Sequence, residues 1–209
     1  MKSFSKEEIK ALDKIVRLNL INSVSGYKSA NLIGTKGEKG ENLALFSSVV
    51  HLGASPALLG FIMRPASVPR NTLTNMKLTK KFTINSVSEE IIEKSHFTSA
   101  NFDEGVSEFE VCKLTPEYME NFEAPFLKES KLKMAMNLEQ IIPIELNDTM
   151  LIVGSIETIY VEDQALETSG QIDLNLLNTV AISGLNRYHQ VKQIANFPYA
   201  RVSDLPKFN

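Results

Sequence analysis

Apolar residues in this chain fall mostly at every second position, in short runs divided by turn-forming residues. Leu132, Met134, Met136 and Leu138 alternate with Lys131, Lys133, Asn137 and Glu139. That pattern predicts a half-buried antiparallel strand, with Ala135 as a small apolar residue on its outward side. Residues 150–162 form a longer β-branched run in which Gly154 predicts a bend or bulge. Shorter β-type segments are expected near 18–23, 29–34, 43–52, 57–63 and 82–87, and Gly34, Gly37 and Gly40 read as an exposed hairpin turn. Helical signals are fewer. Ser5 and Glu8 have the spacing of a capping box, and Ile9, Leu12, Ile15 and Val16 then keep helical spacing, which predicts a helix over about 6–16. Thr72 is the expected N-cap of a short helix through Leu73, Met76 and Leu78, and Ser88 that of a brief one containing Ile91 and Ile92. Many short strands with minor helices predict a mainly β fold, a closed or nearly closed antiparallel barrel.

Length and composition set limits on that picture. The chain has 209 residues, enough for one large domain, and shows no linker or internal repeat, so a single domain over 1–209 is expected. Its net charge of −3, with Lys and Arg scattered, argues against a nucleic-acid partner. No apolar run approaches the roughly 18 residues needed to span a bilayer. The start lacks the apolar stretch of a signal peptide, and the single cysteine forbids an internal disulfide. A cytoplasmic location is the expectation.

Common catalytic constellations find little support. His51, His96 and His189 lie far apart, and no His or Cys pair has ligand spacing, so no metal site is expected. Residues 109–114 alternate like a strand that would turn Cys112 to the side of Glu110 and Leu114, and a structural thiol is the better reading. The glycine triple fits neither a dinucleotide fingerprint nor a phosphate-binding loop.

The richest segment runs from 42 to 72. Ser47 and Ser48 interrupt apolar sequence, and buried hydroxyls need partners; backbone at a bulge or a bound ligand would serve equally. Arg64 ends an apolar run at Pro65, and Arg70 directly precedes the expected helix start at Asn71 and Thr72. Free helix amides beside a guanidinium make an anion site, although an exposed arginine near a cap is the simpler alternative.

Read together, these segments resemble the flavin reductase-like family, the flavoredoxin group within the FMN-binding split barrels. The markers are Asn42-Leu-Ala-Leu-Phe-Ser-Ser48, Ser55-Pro56, Leu58-Leu-Gly-Phe-Ile-Met-Arg-Pro65, Arg70-Asn-Thr-Leu-Thr-Asn75 and Phe82-Thr-Ile-Asn-Ser-Val87. Ser107-Glu-Phe-Glu110, Leu114-Thr-Pro116 and Ile152-Val-Gly-Ser-Ile156 follow. Each is degenerate alone, and their order over roughly 18–200 carries the resemblance. Leu45 departs from the proline often found at that position.

The resemblance implies an antiparallel Greek-key split β-barrel with a few short helices, which dimerises and binds FMN near the dimer interface. Asn42, Leu43, Ala44 and Leu45 would meet the flavin ring, with a backbone hydrogen bond near Ala44–Leu45 to the ring. Ser47 and Ser48 would approach the ribityl chain and phosphate. Arg64, Arg70, Asn71 and Thr72 would hold the phosphate, and Asn85 would complete its surroundings. His51, Arg187, Tyr188 and His189 become substrate-side candidates, while no side chain is expected to be indispensable for the chemistry, which the cofactor supplies. The implied activity is hydride transfer from NADH or NADPH to flavin. The alternatives are a non-catalytic FMN-binding or electron-relay protein with an acceptor partner, and an oxidase acting on a small phosphorylated substrate.

Overall fold

The computed structural model describes residues 1–65, 71–103 and 105–207. In chain order come helices α1 (Lys6–Ala11) and α2 (Lys14–Val24), then strands β1 (Lys28–Ser29), β2 (Asn31–Gly37), β3 (Gly40–Phe46), β4 (Val50–Ala54) and β5 (Ala57–Met63). Helix α3 (Asn71–Thr79), strand β6 (Lys81–Ser86) and helices α4 (Ile92–Phe97) and α5 (Glu108–Val111) follow. The remainder is β7 (Pro116–Glu117), β8 (Phe126–Leu127), β9 (Leu132–Ile144), β10 (Thr149–Val161), β11 (Val180–Ser183) and β12 (Arg187–Gln190).

Seven strands form one antiparallel sheet in the order β3-β2-β6-β9-β10-β5-β4. The β2–β3 and β4–β5 hairpins thus sit at opposite ends, and the β9–β10 hairpin bridges them between β6 and β5. That is a Greek-key arrangement, mainly β, of the split-barrel type. Its interior is filled by Ile33, Phe61, Met63, Leu73, Met76, Phe82, Ile84, Met136 and Ile152. Phe61 and Phe82 meet edge to face at 5.9 Å, and each ring buried this way contributes roughly 1.5–3 kcal/mol. A bulge falls at Gly154, where the β9–β10 register shifts; a Cβ there would press into the Phe82 ring.

Several expectations need correction. Residues 18–23 belong to helix α2, not to a strand: Asp13 Oδ1 accepts from the Ile15 and Val16 amides, which stops the first helix at Ala11 and starts a second. The alternation of Leu18 and Leu20 with polar neighbours imitated a strand because this helix buries no residue. The stretch 43–52 divides into β3 and β4 around residues 47–49. Residues 108–111 form helix α5 rather than a strand, and Cys112 caps it while remaining a buried free thiol. Thr72 lies inside α3 and is buried, so it does not cap that helix. Ser88 precedes a 3-10 turn at Glu89–Ile91 without a side-chain capping bond. Ala135 is buried against Phe122 and Phe126, so β9 is covered on both faces at that point. Only Gly37 and Gly40 shape the hairpin; Gly34 lies buried within β2, where a Cβ would strike Pro125 O. The capping box at Ser5 and Glu8 is present as expected. Among the described residues, no helix is long and apolar enough to cross a membrane.

Candidate functional site

A cavity of about 1050 Å³ opens where the end of β3, the end of β5 and the start of α3 converge. Ala44, Leu45 and Phe46 form an apolar floor, continued by Phe102 and Ile182. Ser47, Ser48, Arg64, Asn71 and Thr72 line one end. The other end is walled by Ile21, Asn22, Ser25 and Lys28, by His96 and the 98–103 loop, and by Leu185 and Asn186.

Strand β3 is an edge strand of the sheet, so half of its amides and carbonyls have no strand partner. The Leu43 amide turns away from β2 and donates to Glu108 Oε2 at 3.0 Å. Backbone orientation repeats every second residue, so the Leu45 amide points the same way, toward the cavity that Leu45 lines. An unpaired N–H beside an apolar floor is well suited to a flat heteroaromatic ligand with acceptor atoms on its rim.

At the opposite end, Asn42 Nδ2 donates to Thr72 Oγ1 at 3.0 Å, a buried bond that fixes β3 against the first turn of α3. Helix α3 has nine residues, and its N-terminal amides carry partial positive charge. The exposed Arg64 reaches the same end from β5. Ser48 is less free: its hydroxyl donates to Ile62 O and accepts from the Ile62 amide, which locks the chain after β3 onto β5. Its backbone role is therefore established, and Ser47 supplies the other hydroxyl.

The cavity thus gathers Asn42, Ala44, Leu45, Ser47, Ser48, Arg64, Asn71 and Thr72 from the expected set. Leu43 packs behind the wall, fully buried beside Phe109 and Cys112. Arg70 lies outside the described residues. Asn85 does not reach the cavity: its amide donates to Leu32 O and Thr83 Oγ1 and its carbonyl accepts from the Leu127 amide, so it stitches the core together. His51 is exposed on β4, and Arg187, Tyr188 and His189 lie on β12 just outside the wall. Tyr188 nonetheless touches it, because its hydroxyl lies 3.1 Å from Nδ1 of the wall residue His96. Burial pushes the Tyr188 hydroxyl up to about 12, so it stays protonated beside the His96 ring.

Among the wall residues that sequence reasoning missed are His96 and Glu108. Glu108 is 8% exposed, and burial raises its carboxyl above the ordinary range, partly offset by the bond from Leu43. The strand-like alternation of its segment hid it.

Residues 28–180 match the Flavin reductase like domain, well over half of the chain. The chain belongs to the flavin reductase-like family. A candidate flavin reductase with a split barrel domain from Shewanella frigidimarina NCIMB 400 superposes with a TM-score of 0.92 at 48% identity, covering 96% of this chain and 100% of that one. Nitrilotriacetate monooxygenase component B from Bacillus cereus shares the fold, with a TM-score of 0.83 at 21% identity over 94% of this chain and 98% of its own. An uncharacterised protein of Aquifex aeolicus is 34% identical over 128 residues, 60% of this flavin reductase-like chain and 64% of that relative's length.

Proposed function

We propose that this chain is an FMN-binding, NAD(P)H-dependent flavin reductase that moves hydride from reduced nicotinamide to flavin. The observation that carries the reading is one cavity joining an apolar, amide-edged floor at Ala44–Phe46 to an anion-attracting end at Arg64 and the α3 N-terminus. Residue by residue the wall suits FMN. The floor offers Ala44, Leu45 and Phe46 to the ring, and the Leu45 amide is a donor for a ring heteroatom. Asn42 and Ser47 suit the ribityl chain. Arg64, Asn71 and Thr72 suit the phosphate, since a guanidinium and helix amides both favour an anion there. FMN would supply the hydride acceptor itself, and the protein binds, orients and excludes water. The end lined by His96, Asn101 and Asn186 leaves polar groups for a nicotinamide amide.

The reading extends to one cytoplasmic domain acting as a homodimer. Ile15, Val16, Leu18, Ile21 and Val24 on α2 are exposed beside the cavity, and a second copy would cover them. The test begins with the spectrum of the purified protein reconstituted with FMN. Anaerobic stopped-flow mixing with NADH, and separately NADPH, should bleach the visible flavin band within seconds. Bound FMN that neither donor bleaches would instead favour an electron-relay protein, and a failure to bind FMN would end the proposal.

A further inference from the structure

Glu108 is more than the local structure requires. It stands at the start of α5 with its carboxyl in the cavity wall, and its bond to the Leu43 amide holds edge strand β3 in place. A glutamine could accept the same amide without the cost of burying a charge, which is several kcal/mol for an unpaired ion. Among the described residues, no lysine or arginine forms an ion pair with it. A carboxylate held largely out of water, with the cavity open to it, is a poor cap and a good proton acceptor.

We propose that Glu108 is the proton-holding group of the cavity, ionised while the bound flavin is oxidised and protonated once it is reduced. This rests on the flavin reading above and goes beyond it, since hydride transfer alone requires no such group. The balance is simple. Two electrons and one proton enter FMN, delivered together as hydride by reduced nicotinamide, and leave one negative charge on the ring. Glu108 then binds one proton from solvent and becomes a neutral acid. The summed charge of ring and carboxyl is the same before and after, so reduction adds no unbalanced charge to a poorly solvated space.

The surroundings favour this assignment. Burial already raises the Glu108 carboxyl, and an anionic ring beside it would raise it further, in the direction of proton uptake. At the C-cap of α5 the buried Cys112 thiol is held neutral by burial and by the Glu108 charge, while Glu110 of the same helix is exposed. On β3 the nearest charged residue, Glu41, accepts from the Tyr118 hydroxyl at 2.6 Å. Asn71 and Thr72 of α3 bring no side-chain charge. Elsewhere in the wall, Lys28 is held by Asn22 O, Ser25 Oγ and Gly184 O. Arg64, His96 and Asp103 line the same cavity.

The test counts protons. Purified protein loaded with FMN is reduced anaerobically with dithionite, and the midpoint potential is followed against pH near about pH 8. Wild type should take up two protons per two electrons, and Glu108→Gln only one. At that pH the ratio of oxidised to reduced FMN dissociation constants should rise at least about tenfold in Glu108→Gln, because reduced FMN no longer waits on a protonation. Equal proton counts in the two proteins would overturn the inference. Should Glu108→Gln fail to fold, the wild-type count decides alone: one proton per two electrons sinks the proposal. Failure of the wild type to bind FMN would remove the flavin reading itself, whereas FMN bound with a single proton removes only the role of Glu108.

Discussion

The Asn42 amide and the Thr72 hydroxyl, thirty positions apart in sequence, share a buried 3.0 Å hydrogen bond that ties the edge strand β3 to the first turn of α3. One end of this link lies beside the apolar floor of the cavity and the other at its anion-attracting helix terminus. The relative position of those two halves depends on it.

Thr72→Val keeps the shape and removes the acceptor, leaving the Asn42 amide buried and unpaired. The expected cost is about 1–3 kcal/mol, read as a lower urea midpoint with an unchanged slope. FMN affinity should fall with it, by roughly tenfold if the two halves of the cavity shift. An unchanged midpoint would show that water or another group replaces the bond.

Arg64→Ala should weaken FMN far more than riboflavin. A charge-assisted bond is worth about 1.5–3 kcal/mol, so FMN binding should fall about ten- to a hundredfold while riboflavin binding changes little. Fluorescence titration with both ligands separates a phosphate contact from general damage, because damage would weaken both equally.

Tyr188 gives the protein a measurable alkaline limb. Its folded value is raised by burial to about 12 against about 10 in an unfolded chain. The folded state therefore keeps a proton that the unfolded state releases. Stability from this group is complete below the unfolded value and is lost as pH rises toward the folded one, at most about 2.7 kcal/mol in all and less with solvent screening. Tyr188→Phe should flatten the fall in chemical-denaturation stability over that window. Its loss of the His96 contact should cost a further 0.5–1.5 kcal/mol or so at neutral pH.

Gly34→Ala is expected to be among the most damaging small substitutions. The added methyl would meet Pro125 O and Thr83 Oγ1, and the first of these is backbone that cannot swing aside. A loss of about 1–3 kcal/mol or more should appear as a drop in thermal midpoint or in soluble yield. A neutral result would mean that the 124–127 segment yields easily.

Much of this architecture was legible in the sequence because it rests on apolar strand segments bounded by turn-forming residues. β9 announced itself through alternation, β5, β6 and β10 through runs of apolar and β-branched residues, and Gly154 through its interruption of such a run. Errors cluster where an element borrows its stability from elsewhere. Helix α2 buries no residue in this chain, and Leu18 and Leu20 flanking Asn19 gave it a short strand-like alternation. Helix α5 is a single turn, too short for periodicity, and its mistaken reading as a strand concealed Glu108. On the cavity, the residues on β3, β5 and α3 could be read because they are close in sequence. His96 could not, since only the fold carries α4 and β12 to the far wall. Asn85 shows the opposite error: an asparagine amid flavin-type motifs whose three hydrogen bonds all serve the core.

The unpartnered margin of β3 has one more implication. Bare strand margins invite a neighbouring molecule to add its own strand, the first step toward fibres and precipitates. Helix α5, pinned over Leu43, covers part of that margin, and whatever fills the adjacent hollow covers the rest. Occupancy of the hollow would then guard the colloidal behaviour of the protein as well as its chemistry, and a starved, ligand-poor pool would be the one prone to clump.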